Sequence, residues 1–408
     1  MTAQKLQILN FSKYCMIFGG LWRLNFPSRN KFLLKLYGIY SCFAQIYIPL
    51  HLASMCLHFF FALRDRTQTT EHHVKEFALI LTPLITEIAA IFCQSHNFKS
   101  IISNIMDEEE NVLMSEQDET LYHHRRQLKF CRTVNMAIFF FPVCTALSMT
   151  LENTRTRFKI DRYNREHNAT LEKPFPFEWY LYKFNKYNHQ VVMLLAQHFT
   201  HMLIVLRIVS TKNIVVSCII FTPSVLKRLQ SRFRQMSRQE GDTLEHVRDL
   251  ISQHQKVIRY VGQLNDSIRF VILMEYLLNS LNFAAVLVQF ISVGIWEMFA
   301  LRIFQKLLKF RHELEYSPLF YFFYLFVQTF FLGWSANEVK VQSEALSDAL
   351  YESLWYEQNG RVKRMILYMI LRSQKPLVLT IGPFDTMTTA SAVRIMKASY
   401  SYVSLMVN

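Results

Sequence analysis

The sequence predicts an all-α membrane protein with seven transmembrane helices, and three observations carry that prediction. Half of the residues are hydrophobic (51%), and they gather into long apolar runs. Each run approaches the roughly 20 residues that a helix needs to cross a hydrocarbon core of about 30 Å. The charged residues fall mainly between the runs, so the net charge of +14 suits cationic loops at a membrane surface better than a nucleic-acid-binding face. Backbone groups inside lipid must be bonded within their own segment, which makes the runs helices.

The elements follow in order. The first 30 residues carry Lys5, Lys13, Arg23 and Arg29 but no compact apolar core ending in small residues, so a cleavable signal peptide is not expected. The first run extends from Leu36 to Leu63 with no charge after Ile39, and the second covers 77–95 with Glu87 inside it. The third, fourth and fifth cover 134–151, 190–222 and 270–300. The sixth is 317–335 and the seventh about 385–408. One seven-helix domain over 1–408 is therefore expected, with no internal repeat. The cysteines at 15, 42, 56, 93, 131, 144 and 218 lie in or beside the runs, which suggests small buried hydrophobes and no disulfide framework.

Seven spans put the two termini on opposite sides. With the N-terminus inside, the inner segments hold about 25 Lys and Arg against about 15 outside. The bias holds by count and not by density, because the inner segments are longer and the 152–190 loop is itself basic. Asn168-Ala169-Thr170 in that loop is a glycosylation acceptor pattern, which would place the loop outside. A cytoplasmic N-terminus and an extracellular C-terminus are expected.

Asp161-Arg162-Tyr163 spells the triplet that follows the third span of rhodopsin-like receptors. Here it is expected some ten residues out in a polar loop, and the seventh run lacks Asn-Pro-x-x-Tyr. A G-protein-coupled receptor would also need an outside N-terminus. A transporter is expected to show repeated halves or glycine- and proline-broken spans, and neither is visible. There is no phosphate-cradling glycine loop, His-Glu-x-x-His or nucleophile elbow, so neither an enzyme nor a cofactor is expected. His198 and His201 have metal-ligand spacing without further ligands nearby, so no metal is expected.

The residues become specific after the sixth run. NEVKVQSEALSDALYESLWYEQ (337–358) leads into RSQKPLVLTIGPFDTMTTASAVRIMKASYSYVSLM (372–406). An Asn-Glu pair, Ala-Leu-Tyr-Glu-Ser-x-Trp-Tyr, Arg-Ser-Gln-Lys-Pro-Leu and a closing Ser-Tyr-Ser-Tyr follow one another over about 70 residues. This order resembles the C-terminal signature of insect odorant receptors. Gly382-Pro383 departs from it, since a small or polar residue is expected after the glycine. Gustatory receptors share the architecture but differ from Ser399-Tyr400-Ser401-Tyr402; they remain the alternative.

The resemblance implies a tetrameric ligand-gated, non-selective cation channel in the plasma membrane of an olfactory neuron dendrite. It also implies assembly with a common co-receptor subunit, a small volatile ligand, and no nucleic acid. The co-receptor type carries a longer second cytoplasmic loop, whereas 223–269 is compact, so this chain is similar to the odorant-binding type.

The spacing gives its own account of the C-terminal third. Leu346, Leu350 and Leu354 repeat every four residues, with Glu344, Asp348 and Glu352 on another face. That is an amphipathic helix, expected to be stopped by Asn359-Gly360. A second helix is expected up to Arg372, before Pro376. The 337–372 and 224–260 segments are thus expected to pack beneath the membrane as an anchor where subunits meet, with Leu346, Leu350, Leu354 and Trp355 as contacts.

In the last run, Lys397 leaves Ala398–Asn408 as the uncharged part, about 16 Å of helix. That is half a hydrocarbon core, so pore lining suits it better than lipid anchoring. Ser401, Leu405 and Asn408 share one face. Four copies would stack a hydroxyl ring, a leucine constriction able to gate by dewetting, and an amide ring at the mouth where the chain stops. The resemblance places the family's narrow gate at Leu405 and its outer polar ring at Asn408.

An apolar ligand calls for an aromatic cavity with a few polar groups. The resemblance places it in the outer half of the bundle. Candidate faces are Phe141, Thr145 and Ser148 on the third run, Met193, Gln197 and His201 on the fourth, and Tyr321, Tyr324 and Gln328 on the sixth. Glu87, Arg207, Lys212 and Glu275 are charges inside the runs, expected to pair with one another.

Overall fold

The computed structural model describes residues 7–22, 30–63, 70–114, 118–167, 187–236, 243–292 and 317–407. They form α1 (Asn10–Phe18), α2 (Lys31–Ala62), α3 (Thr70–Cys93), α4 (His96–Met114), α5 (Asp118–His167), α6 (Tyr187–Gln235), α7 (Thr243–Ser292) and α8 (Ser317–Glu352). A 3-10 turn (Trp355–Glu357), α9 (Gly360–Ser373), a hairpin of β1 (Thr380–Ile381) and β2 (Asp385–Thr386), and α10 (Thr389–Val407) complete the described chain.

Among the described residues five helices are long and apolar enough to cross a membrane, within α2, α5, α6, α7 and α8. The second predicted run lies on α3, whose apolar stretch is the shorter Ile80–Cys93, and the seventh lies on α10. Residues 293–300 of the fifth run are outside the described residues. Of the α6 apolar window 83% is buried, against 33% for α2 and α5. So α6 is the core helix, while α2 turns Ile39, Ile46, Leu50 and Leu57 outward, as a lipid-facing helix must.

Several boundaries differ from those expected. The third span belongs to a helix of 50 residues, about 75 Å long. Helix continues through Asp161-Arg162-Tyr163 to His167, so that triplet is not in a loop. The extension contains no glycine or proline, and Thr154 and Thr156 hydroxyls donate to carbonyls one turn back. A hydropathy window does not register such polar helix.

Likewise, the sixth span and the following amphipathic segment are one helix, α8. It ends at Glu352, so Leu354 lies beyond it and is 39% exposed, off the buried stripe of Leu346 and Leu350. Asn359 does not stop α8. It starts α9, its Oδ1 accepting the Val362 N–H at 3.0 Å as an N-cap.

The cysteines form no disulfide. Cys15, Cys93, Cys131 and Cys218 are buried as expected, but Cys42 and Cys56 are exposed on α2.

Two glycines set the approach to α10. At Gly382 φ is +55°, and a Cβ there would lie 2.8 Å from Leu273 Cδ2. This residue turns the hairpin, and its N–H donates to the Arg269 carbonyl at 3.0 Å. Pro383 is accommodated in the turn, exposed. A Cβ at Gly333 would meet Ala392 Cβ and the Thr388 oxygen, both at 2.8 Å, so glycine lets α8 and α10 touch.

At the end of the molecule called the lower end here, α6, α7, α8 and α9 share a core of ten apolar side chains, including Phe233, Leu250, Leu346, Leu350 and Ile366. Trp355 packs against it. The short α1 is held between α5 and α6 by hydroxyl and amide groups. Ser12 Oγ lies 2.7 Å from Ser217 Oγ, and Asn135 Nδ2 donates to the Ser217 oxygen at 2.8 Å. Before α1, the Ile8 N–H donates to the buried Glu109 carboxylate of α4 at 2.8 Å.

Candidate functional site

The apolar sixth run places Tyr321, Tyr324 and Gln328 one helical turn apart, and α8 aims all three inward. They line a cavity of about 10 Å³ closed by α3, α6 and α7. That is room for about one water, so a larger ligand must push its walls apart. The opposite walls mix Ile85, Ile208 and Leu278 with the polar Thr82, Thr86, Lys212, Glu275, Asn279 and Asn282. Asn279 Nδ2 donates to Thr329 Oγ1 at 3.1 Å, and Asn282 Nδ2 to Thr82 Oγ1 at 3.4 Å. Gln328 Oε1 is buried with no hydrogen-bond partner among the described residues, leaving an acceptor at the cavity.

The buried charges pair as their positions suggested. Arg207 Nε lies 2.9 Å from Glu87 Oε1 and joins α6 to α3, while Lys212 contacts Glu275 and joins α6 to α7. Arg207 Nη1 also donates to the Ala44 carbonyl of α2 at 3.2 Å. Three neighbouring helices are thereby tied to the core helix by two cations.

The other sequence candidates do not meet at this cavity. Phe141 stacks on Phe323 with ring centroids 5.8 Å apart and joins Tyr321 and Tyr324 in one apolar cluster. Thr145 is buried with its hydroxyl donated to the Phe141 carbonyl, and Ser148 is half-buried. Gln197 is buried and His201 half-buried on α6. The Met193 side chain is outside the described residues, and so is Asn168. His198 Nδ1 lies 3.3 Å from Thr150 Oγ1, tying α5 to α6. Among the described residues no group of three His, Cys, Asp or Glu side chains could hold a metal ion.

Sequence reasoning missed Thr82, Thr86, Asn279 and Asn282, and the α2 pair Tyr47 and His51. Tyr47 hydroxyl meets Thr200 Oγ1 at 2.6 Å and stacks on His51. Amide and hydroxyl groups interrupting apolar runs were the available signal.

On α10 one face packs against α7 and α8, burying Ser391, Ala392 and Ser399. The other carries Arg394, Lys397, Tyr400, Ser401 and Ser404, all exposed. Arg394 pairs with Asp385 of β2. The Leu405 side chain and Asn408 lie outside the described residues.

A family model described as 7tm Odorant receptor matches residues 76–400. The chain belongs to the odorant receptor family. It is similar to Odorant receptor 10 of Aedes albopictus, 31% identical over 157 residues, which is 38% of each chain. It is also similar to Odorant receptor Or2 of Anopheles gambiae, 24% identical over 230 residues, covering 53% of this chain and 56% of that one. The chain thus spans about half or less of the length of these relatives in alignment. The structure of the insect olfactory receptor OR5 from Machilis hrabei superposes with a TM-score of 0.74, at 16% identity over 97% of both chains. The same receptor in complex with eugenol superposes with a TM-score of 0.72, covering 98% of both chains. This odorant receptor is therefore a multi-pass, mainly helical membrane protein of a receptor family rather than an enzyme family.

Proposed function

We propose that this odorant receptor is the ligand-binding subunit of a tetrameric, ligand-gated, non-selective cation channel assembled with a common co-receptor in the plasma membrane. The observation that carries the reading is the two-sided α10. Its inner face is packed, while Ser401 and Ser404 stand on a polar, uncovered face that is expensive to leave against lipid. Four such helices around an axis give those hydroxyls water, with Leu405 as the constriction and Asn408 at the outer mouth. In this reading the N-terminus is cytoplasmic and Asn168 is an extracellular glycosylation site. Residues 224–260 and 337–372 form the anchor beneath the membrane. Leu346 and Leu350 are buried in its own core with Trp355 packed against it, so of the four expected contacts the exposed Leu354 is the one left for a neighbouring subunit.

The ligand is small and mainly apolar. It enters among Phe141, Tyr321 and Tyr324, with Thr145, Ser148, Met193, Gln197 and His201 above and Gln328 below. The Machilis receptor's complex with eugenol supports a small organic ligand within this fold. Opening of the nearly closed cavity moves α8, and the Gly333 contact passes that movement to α10.

Whole-cell current is to be recorded from cells expressing this chain with a co-receptor, against a volatile panel and with G-protein signalling blocked. A fast cation current that needs this chain is expected, and a response abolished by the block would overturn the channel mechanism. Tyr324→Ala and Ser148→Phe should shift the dose-response; if neither does, the ligand sits elsewhere. Leu405→Ala should raise leak current or alter selectivity at normal surface expression, and wild-type behaviour would remove it from the gate.

A further inference from the structure

A second cavity, far larger than the one in the upper bundle, is a cleft of about 690 Å³ between α4, α6 and α7, within the size range of small-molecule sites. It begins at Phe221 and Thr222, at the end of the α6 apolar run, and descends to Arg232, about 15 Å along the helix. Nothing in the odorant-binding reading uses it.

Its walls carry cations from two facing helices: Arg228 and Arg232 on α6, Lys256 and Arg259 on α7. Arg232 is engaged, donating to Gln253 Oε1 at 2.8 Å beside Asp249. Arg228 is held only loosely, in an ion pair with Glu108. Its side chain is only 11% exposed, and both Nη atoms are buried without a well-formed hydrogen bond among the described residues. The nearest carboxylate, Glu108, stays at 3.5 Å, longer than a charge-assisted hydrogen bond. Lys256 and Arg259 are exposed, one turn apart, and make no ion pair among the described residues. A buried guanidinium held only by one long ion pair has donors left for a further anion's acceptors.

The opposite wall narrows the class of anion. Asn104, Asp107 and Asn111 of α4 offer amide and carboxylate oxygens. They would repel a long polyanion but accept hydrogen bonds from hydroxyl groups. We propose that this cleft binds a phosphorylated polyol. Its phosphate sits among Arg228, Lys256 and Arg259, where planar guanidinium forks match phosphate oxygens, and its hydroxyls face α4. The cleft's position at the foot of the apolar spans allows two sources of that chemistry, an inositol phospholipid headgroup or a soluble inositol phosphate.

The test uses the full-length chain purified in detergent, with two probes: radiolabelled inositol trisphosphate and a short-chain phosphatidylinositol bisphosphate in micelles. Saturable binding of at least one probe is expected. Binding of both identifies the headgroup alone as the ligand, and binding of the lipid only assigns a membrane source. Lys256→Gln with Arg259→Gln, both exposed and unpaired, should weaken binding roughly tenfold or more, the loss of one charged hydrogen bond or more. Glu108→Gln should tighten it, because it frees Arg228. The proposal is overturned if neither probe saturates, or if the double variant, eluting and melting like wild type, binds both unchanged. The readout is independent of odorant gating, so its failure leaves the channel reading untouched.

Discussion

The lower core and the upper bundle bury their interiors by opposite means. Below, Leu229, Phe233, Leu250, Leu346, Leu350 and Ile366 meet with no charge among them. Above, the same α6 and α8 join α3 and α7 in burying two ion pairs, and one of these, with three amides and several hydroxyls, surrounds a cavity scarcely larger than a water. Water drives the first kind of core together by the hydrophobic effect. In lipid that drive between helices is lost, and packing and interhelical polar contacts hold the bundle instead. Buried pairs add little net stability but are costly to break singly. The lower core is thus suited to holding shape. The upper bundle is suited to choosing between arrangements when a ligand enters.

The largest effect should come from splitting a pair. Glu87→Gln leaves Arg207 buried and unpaired, an expected loss of about 3–5 kcal/mol, whereas Glu87→Leu with Arg207→Met should recover most of it. Thermal unfolding in detergent compares them; equal damage from both would remove the pairing argument. In the lower core, Leu350→Ala should cost about 2–5 kcal/mol by cavity formation. If Leu354→Ala costs as much, the exposed position assigned to Leu354 is wrong.

Glu109 sharpens the comparison, because it is a buried acid outside the spans. Burial raises its carboxyl to about 7, although the Ile8 N–H and the Arg228 charge pull it down. His124 Nε2 of α5, 4.0 Å away, also faces it. The folded form therefore holds a proton that the unfolded chain releases near 4.5. Its stabilising contribution is complete below that lower value and is lost as pH rises through about 7, on the order of 3 kcal/mol. Melting temperature should fall between pH 5 and 8 in wild type and less steeply in Glu109→Gln. Parallel slopes would reassign the dependence. The smallest effect belongs to the α9 cap: Asn359→Ala should cost about 1 kcal/mol, read by the same melt.

Much of this was legible beforehand, and the failures share a cause. Apolar runs located the helices that cross the membrane, since hydropathy measures the cost of placing side chains in lipid. It says nothing of polar helix beyond the lipid, which is why α5 runs on to His167 and α8 fuses two expected elements. Asn359 caps the start of α9 and does not stop α8, an ambiguity that sequence leaves open because Asn serves both as an N-cap and as a stop. The Leu346–Leu350 stripe matched the buried face, and Leu354 left it only because the chain turns at Ser353.

The sequence by itself determined the all-α membrane class, the order of the spans and, through the residues from Asn337 to Tyr402, the family. Those are properties of side-chain chemistry along the chain. Only the tertiary structure decided that Arg207 meets Glu87 and Lys212 meets Glu275. It also turned Tyr324 and Gln328 toward Asn279, and brought Arg228, Lys256 and Arg259 to one cleft with Glu108. Each of these depends on how helices distant in sequence rotate and cross, and rotation is set by packing that no single run encodes.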